Sequence, residues 1–110
     1  MSRSYCLGDI QQIPEGGSKG FQLGNQSLFV VRQQERCFVY RNSCPHLGIE
    51  LEWMPDQFLD PPRHFIQCST HGALFLIESG ECDSGPCLGD FLERIPSRIQ
   101  DGQLWIELES

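Results

Sequence analysis

Short runs of β-branched and aromatic residues, each stopped early by turn-forming residues, dominate this chain and leave little sequence for helices. "SLFVVRQ" at Ser27 to Gln33 and "CFVYRN" at Cys37 to Asn42 are apolar in their middles, and only Gln34, Glu35 and Arg36 part them. That spacing predicts a hairpin. Near the C-terminus, "SRIQDGQLWIEL" sets Asp101-Gly102 between two alternating runs, a strong hairpin signal because both residues tolerate positive φ. Ile99, Leu104 and Ile106 are expected in or near the buried side. "FIQ" at Phe65 to Gln67 and "ALFLI" at Ala73 to Ile77 read as two more short strands, with Glu78 to Glu81 as the turn that follows. "IPEGGSKGF" reads as a loop leading to a strand near Phe21. In "LGIELEWMPDQFLD" the residues Leu47, Leu51 and Met54 have roughly helical spacing, but Pro55 allows at most a short helical turn. No internal repeat, low-complexity tract or linker interrupts the pattern. It predicts one all-β domain over residues 1–110, an antiparallel sandwich or small barrel.

The chain has 110 residues and a net charge of −7. The length suits one domain with a modest core. The charge repels nucleic acid, and it suits solubility or a basic protein partner. No apolar run reaches the roughly 20 residues that span a bilayer, and the N-terminus lacks a signal peptide's layout. A cytoplasmic protein outside the membrane is therefore expected. There, thiols stay reduced, so the six cysteines are not read as a disulfide framework.

Two of those cysteines are paired with two of the three histidines. Cys44-x-His46 lies in the loop after the first hairpin, and Cys68-x-x-His71 lies between the strands of "FIQ" and "ALFLI", with residues 47–67 between the pairs. Thiolate is a soft, strongly donating ligand and neutral imidazole a harder one. A Cys2His2 set of this kind holds zinc, or a [2Fe–2S] cluster in which histidines replace cysteines on one iron. Gly48 and Gly72 follow the pairs closely, as small residues do where backbone amides approach a metal or sulfide. Pro45 stiffens the first loop.

With these residues in hand, the chain resembles the Rieske-type iron–sulfur proteins. Cys44, His46, Cys68 and His71 match the family's C-x-H and C-x-x-H motifs in order. "CPHLG" and "HGALFLIESGEC" match the residues that follow, and Gly85-Pro86 resembles the proline loop that covers the cluster's third side. The resemblance runs from about Phe29 to Leu108, with the cluster-binding region at about 43–90. It implies a β-sandwich with a subdomain of two cluster loops and one [2Fe–2S] cluster. Cys44 and Cys68 would hold one iron, and His46 and His71 the other, with Leu47, Gly48, Gly72, Ala73, Phe75, Gly85 and Pro86 around them. It implies a one-electron carrier with no catalytic site of its own.

High-potential members of the family, in respiratory and photosynthetic complexes, carry an extra cysteine in each loop, joined as a disulfide. The corresponding positions here are Ile49 and Thr70. Those members also carry a serine and a tyrosine that donate hydrogen bonds to cluster sulfurs, where this chain has Ala73 and Phe75. Without those donors the potential falls toward the lower end of about −150 to +300 mV. The resemblance thus implies a stand-alone ferredoxin that takes electrons from a flavin-dependent reductase and passes them to a terminal oxygenase or another redox enzyme. A small subunit of an assimilatory nitrite reductase and a redox or iron sensor are the alternatives.

Two segments depart from the common pattern. "WMPDQFLDPPRH" makes the spacer long and proline-rich, a candidate docking loop. Cys82 and Cys87 flank the proline loop, as thiols or as a redox-sensing pair. Cys6 and Cys37 are expected to be ordinary buried small residues, His64 a surface residue ahead of a strand, and Trp53 and Trp105 packing residues. The acidic run "ESGECDSG" is expected to be a solvated turn.

Overall fold

The computed structural model describes residues 2–43, 45, 51, 58–60, 64–68, 72–85 and 88–109. Among these residues there are nine strands: β1 Ser2–Asp9, β2 Ser18–Leu23, β3 Gln26–Gln33, β4 Arg36–Arg41, β5 Phe65–Gln67, β6 Leu74–Leu76, β7 Cys82–Ser84, β8 Ser97–Gln100 and β9 Gln103–Glu109. A single 3-10 turn, Ile10–Gln12, follows β1. The strands form three antiparallel sheets of three, in the orders β1-β9-β8, β2-β3-β4 and β5-β6-β7.

The β2-β3-β4 sheet is central because it is apolar on both faces. Along β3, Leu28, Phe29, Val30 and Val31 are all fully buried. Period two sends them to opposite sides. Phe29 and Val31, with Phe38 and Tyr40 of β4, join a core that also holds Ile66, Cys68, Ala73 and Phe75. Leu28 and Val30, with Val39, join a second core with Leu104, Ile106 and Leu108 of β9. The cross-strand pairs Phe29↔Tyr40, Val30↔Val39 and Val31↔Phe38 place like with like on each face. A strand covered on both sides explains why "LFVV" is a continuous apolar run instead of an alternating one. Each of these side chains contributes about 1.5–3 kcal/mol by burial.

Both expected hairpins form. β3 and β4 join through Gln34-Glu35, with Gln34 at φ 58°. Asp101 and Gly102 have φ 53° and 75°, and Gln100 pairs with Gln103 across them. Two positive φ values in a two-residue loop match the strands' own twist. Leu104 and Ile106 are buried as expected, but Ile99 is 39% exposed. It lies on β8, at the edge of its sheet, where all four residues are exposed. β1 and β7 were not foreseen. β1 pairs along β9 from Ser2↔Glu109 to Asp9↔Gln103, with a bulge between Cys6 and Gly8. β7 runs through the middle of the acidic stretch. Glu78, Glu81 and Asp83 there are exposed as expected, but Cys82 is buried and pairs with Phe75.

Residues 90–96 stitch the three sheets together. Cys82 N donates to Asp90 O, Arg41 N to Glu93 O, Ile95 N to Val39 O and Glu107 N to Pro96 O, all at 2.9–3.0 Å. Tyr40 adds a side-chain tie. Its hydroxyl donates to Ile77 O at 2.6 Å, and a Cβ on Gly80 would lie 2.8 Å from its ring. Burial pushes the Tyr40 phenol up to about 12, partly opposed by Arg94 and reinforced by Glu78. A phenol raised from an ordinary value of 10 stabilises the fold fully below pH 10, and that contribution is lost as pH rises toward 12. Tyr40→Phe should cost about 1 kcal/mol at neutral pH, since Ile77 O loses its donor. It should also flatten the fall in stability between pH 10 and 12, as measured by denaturant unfolding across that range.

Candidate metal centre

The candidate centre is framed by the ends of three loops, which share one core. The first loop leaves β4 at Arg41. Asn42, buried among apolar residues, spans its neck. Its backbone N donates to Ser27 O at 2.9 Å, its Nδ2 to Ser27 Oγ at 3.1 Å, and its Oδ1 accepts from Leu51 N at 2.8 Å. Leu51, at the far end of this loop, is fully buried. The second loop leaves β5 at Cys68 and returns to β6 at Ala73. Cys68 N donates to Ala73 O and Gly72 N to Cys68 O, both at 2.9 Å. These two bonds tie the ends of the second loop together. Leu51, Cys68 and Ala73 belong to the same core.

The third loop begins at Gly85, whose φ is +107°. A Cβ there would sit 2.8 Å from the Ala73 Cα and 3.0 Å from its Cβ. Only glycine allows this backbone and this approach, so the loop containing Pro86 is anchored on the second loop. The described ends of the three segments meet around Ala73 and the core it shares with Leu51 and Cys68. Cys68 is fully buried, as are Ala73 and Phe75. Cys44, His46, Leu47, Gly48, His71, Pro86 and Cys87 lie outside the described residues, as do Ile49, Thr70, Trp53 and most of the stretch read as a short helical turn. Of the proline-rich spacer, Phe58 and Leu59 are buried. Phe58 stacks on Phe29 with ring centroids 4.4 Å apart, and Gln67 N donates to Phe58 O at 2.9 Å. That part of the spacer packs into the protein and does not form a free docking loop. Asp60 Oδ1 accepts from His64 N and Phe65 N and so turns the chain into β5. His64 is exposed, as expected.

The remaining cysteines separate by environment. Cys6, expected to be buried, is exposed on β1 near Gln103, because its neighbours Tyr5 and Leu7 take the core-facing side of the strand. Cys37 is half-buried. Burial pushes its thiol up, partly offset by Arg32. Cys82 is buried in the core of Cys68 and Phe75, its Sγ 3.3 Å from Ser84 O. Trp105 is partly buried, with Arg98 5.6 Å from its ring centroid. Asn42 carried no metal-ligand signal in the sequence. Its position two residues ahead of Cys44, at the end of an apolar strand, was the available clue.

The family model of the Rieske [2Fe-2S] domain matches residues 3–97. The chain belongs to the Rieske [2Fe-2S] domain family. The cytochrome b6-f complex iron-sulfur subunit of Chlorobaculum thiosulfatiphilum is 30% identical over 80 residues, 73% of this chain and 40% of that protein. The subunit of the same name from Chlorobaculum tepidum is 25% identical over 103 residues, 94% of this chain and 52% of that protein. The chain thus spans about half or less of the length of these curated relatives. Among solved structures, the ferredoxin of carbazole 1,9a-dioxygenase from Nocardioides aromaticivorans IC177 superposes with a TM-score of 0.77 at 16% identity, over 94% of this chain and 95% of that one. The complex of reduced oxygenase and oxidized ferredoxin in carbazole 1,9a-dioxygenase gives 0.74 at 18%, over 94% and 91%. These likenesses show the fold. A Rieske domain binds a single [2Fe-2S] cluster, and its chemistry is one-electron transfer. The two Cys-His pairs of the sequence offer the donor types that such a cluster takes, and Cys68, at the end of β5, is buried. Among the described residues no helix is long and apolar enough to cross a membrane.

Gly85→Ala should lower stability by about 2 kcal/mol, because it combines a strained φ with a contact well inside van der Waals range. The same variant should bind less iron per chain, as measured by metal analysis beside a thermal melt.

Proposed function

We propose that this Rieske domain is a one-electron carrier whose cluster is held by Cys44 and Cys68 on one iron and by His46 and His71 on the other. It passes electrons from a flavin-dependent reductase to a terminal oxygenase or a similar redox enzyme. The observation that carries the reading is the convergence of the loop ends on one core: Asn42 to Leu51, Cys68 to Ala73, and Gly85 against Ala73. An oxygenase as acceptor is supported by solved complexes of similar fold that pair a ferredoxin with an oxygenase. A docking face beside the third loop supports it too. Leu88 is 67% exposed and Phe91 57%, large apolar side chains of the kind that anchor partner contacts. Glu81, Asp83 and Asp90 around them are exposed and favour a basic partner surface.

The sequence relatives carry the name of a photosynthetic complex, whose members the resemblance places at high potential. Ala73 and Phe75 argue for the low end instead. Both are fully buried beside Cys68, and neither side chain has a hydroxyl to donate to a sulfur. The potential decides between the two readings.

Anaerobic purification should give two irons and two sulfides per chain, and dithionite reduction should give the paramagnetic signal of mixed His/Cys ligation. Serine in place of Cys68 should abolish both. A protein with one zinc and no iron would overturn the proposal. Electron delivery is tested by mixing the reduced protein with an oxygenase component and following reoxidation. Phe75→Tyr should raise the midpoint potential by about 20–60 mV, the equivalent of one net hydrogen bond for a one-electron couple. A protein-film voltammogram of both forms measures that shift.

A further inference from the structure

The two ligand loops are closed by different kinds of bond. Among the described residues, the ends of the second are joined by the main-chain bonds Cys68 N to Ala73 O and Gly72 N to Cys68 O. Substitution of a side chain cannot delete either bond. Among the described residues, one side chain spans the first. Asn42 is fixed to β3 by its backbone N on Ser27 O and its Nδ2 on Ser27 Oγ, and it reaches across to Leu51 N through Oδ1. Asn42 is only 5% exposed. Its amide is a two-ended bracket: one end gauges the distance to the central sheet, and the other fixes where the chain re-enters the core. In sequence, residues 43–50, which include Cys44 and His46, lie between Asn42 and Leu51.

We propose that Asn42 is the positioning residue of the first ligand loop. It sets the spacing of the loop's two ends and so holds the thiolate and imidazole of that loop in register with Cys68. The inference rests on the ligand assignment above. Asn42 touches no iron or sulfide in this account and acts only through the loop it brackets. An amide serves best because both of its ends are used. Aspartate keeps the acceptor for Leu51 N but loses the donor to Ser27 Oγ. Leucine and alanine keep neither, and they leave the Leu51 N–H buried without that acceptor.

The test compares wild type, Asn42→Ala, Asn42→Asp, Ser27→Ala and Tyr40→Phe. Tyr40→Phe serves as a control that removes a buried hydrogen bond in the same core but outside the loop. Three quantities are read: the thermal midpoint, the rate of iron release to a chelator, and the g values of the reduced cluster. In Asn42→Ala, iron release should accelerate about tenfold, the factor for a buried donor left unsatisfied, and the g values should shift. Asn42→Asp, which keeps the bond to Leu51 N, should recover most of the slow release. Ser27→Ala, which removes the partner of Nδ2 but keeps the bond from Asn42 N to Ser27 O, should fall between wild type and Asn42→Ala. Tyr40→Phe should lower the thermal midpoint but leave the g values as in wild type. If Asn42→Ala fails to fold, Asn42→Asp and Ser27→Ala carry the comparison. The proposal is overturned if Asn42→Ala releases iron at the wild-type rate with unchanged g values, or if Tyr40→Phe changes both readings as much. A wild-type chain that purifies without iron would instead remove the ligand assignment itself, and the two failures are therefore separable.

Discussion

The fold depends on a single strand pair that is apolar on both faces. β3 and β4 lie between two cores, and each core needs the other to cover the far side of that pair. Phe29, Val31, Phe38 and Tyr40 face the loops that frame the candidate centre. Leu28, Val30 and Val39 face the sheet made by the two chain ends. Removing either outer sheet would expose one whole face of β3, so the ligand loops and the terminal strands are energetically linked although they share no residue. That linkage allows the short β5-β6-β7 sheet, three residues per strand, to stand as a platform. Sheets of such short strands are marginal alone, and this one draws its stability from Phe29, Phe58 and Tyr40 beneath it.

Stiffness in the platform has an electrochemical meaning. A one-electron centre works best when its ligands move little between oxidation states. The described ends of all three loops are held by short, directional bonds or by close backbone contact. The amide bracket at Asn42, the two main-chain bonds of residues 68–73 and the Gly85–Ala73 contact act at three different points of the same rim. Hydrogen-bond donors to the sulfurs are a separate control, since they change the energy of the added electron more than the position of the ligands. Ala73 and Phe75 fill the core beside Cys68 and carry no hydroxyl, so under the proposed ligand assignment they leave that control unused. Rigidity and potential can therefore vary independently in this scaffold.

What the sequence revealed follows from how local each signal is. The Asp101-Gly102 turn and the β3–β4 hairpin are written within a dozen residues, and both form. The two Cys-His pairs are likewise local and carry the family by themselves. The continuous apolar run of β3 showed a strand, but nothing in it says that the covering layers come from opposite ends of the chain. β1 was missed because its half of the pairing information sits on β9. Ile99 was misplaced because alternation tells which face a residue takes, whereas only topology tells that β8 is an edge. Cys6 was misplaced for a related reason: on a strand that was not foreseen, Tyr5 and Leu7 take the core side and leave Cys6 on the other. β7 was hidden inside an acidic run, where Glu81 and Asp83 outweigh the one buried residue, Cys82, that makes it a strand.

Asn42 shows a limit of motif reading. A motif records groups that touch the cofactor, and those groups are chemically conspicuous. The residue that brackets their loop is an ordinary amide, and its significance comes from two partners, Ser27 and Leu51, that are remote in sequence and unremarkable in type. The asymmetry between the loops also suggests where this domain can be tuned. The main-chain bonds that join the ends of residues 68–73 do not depend on a side chain, although Gly72, at φ +66°, resists substitution. A loop closed by one side chain changes shape when that residue or either partner changes. Variation at Ser27, Asn42 and Leu51 should then alter the centre without altering its ligands, whereas variation around residues 68–73 acts mainly through what packs against them, as Gly85 does.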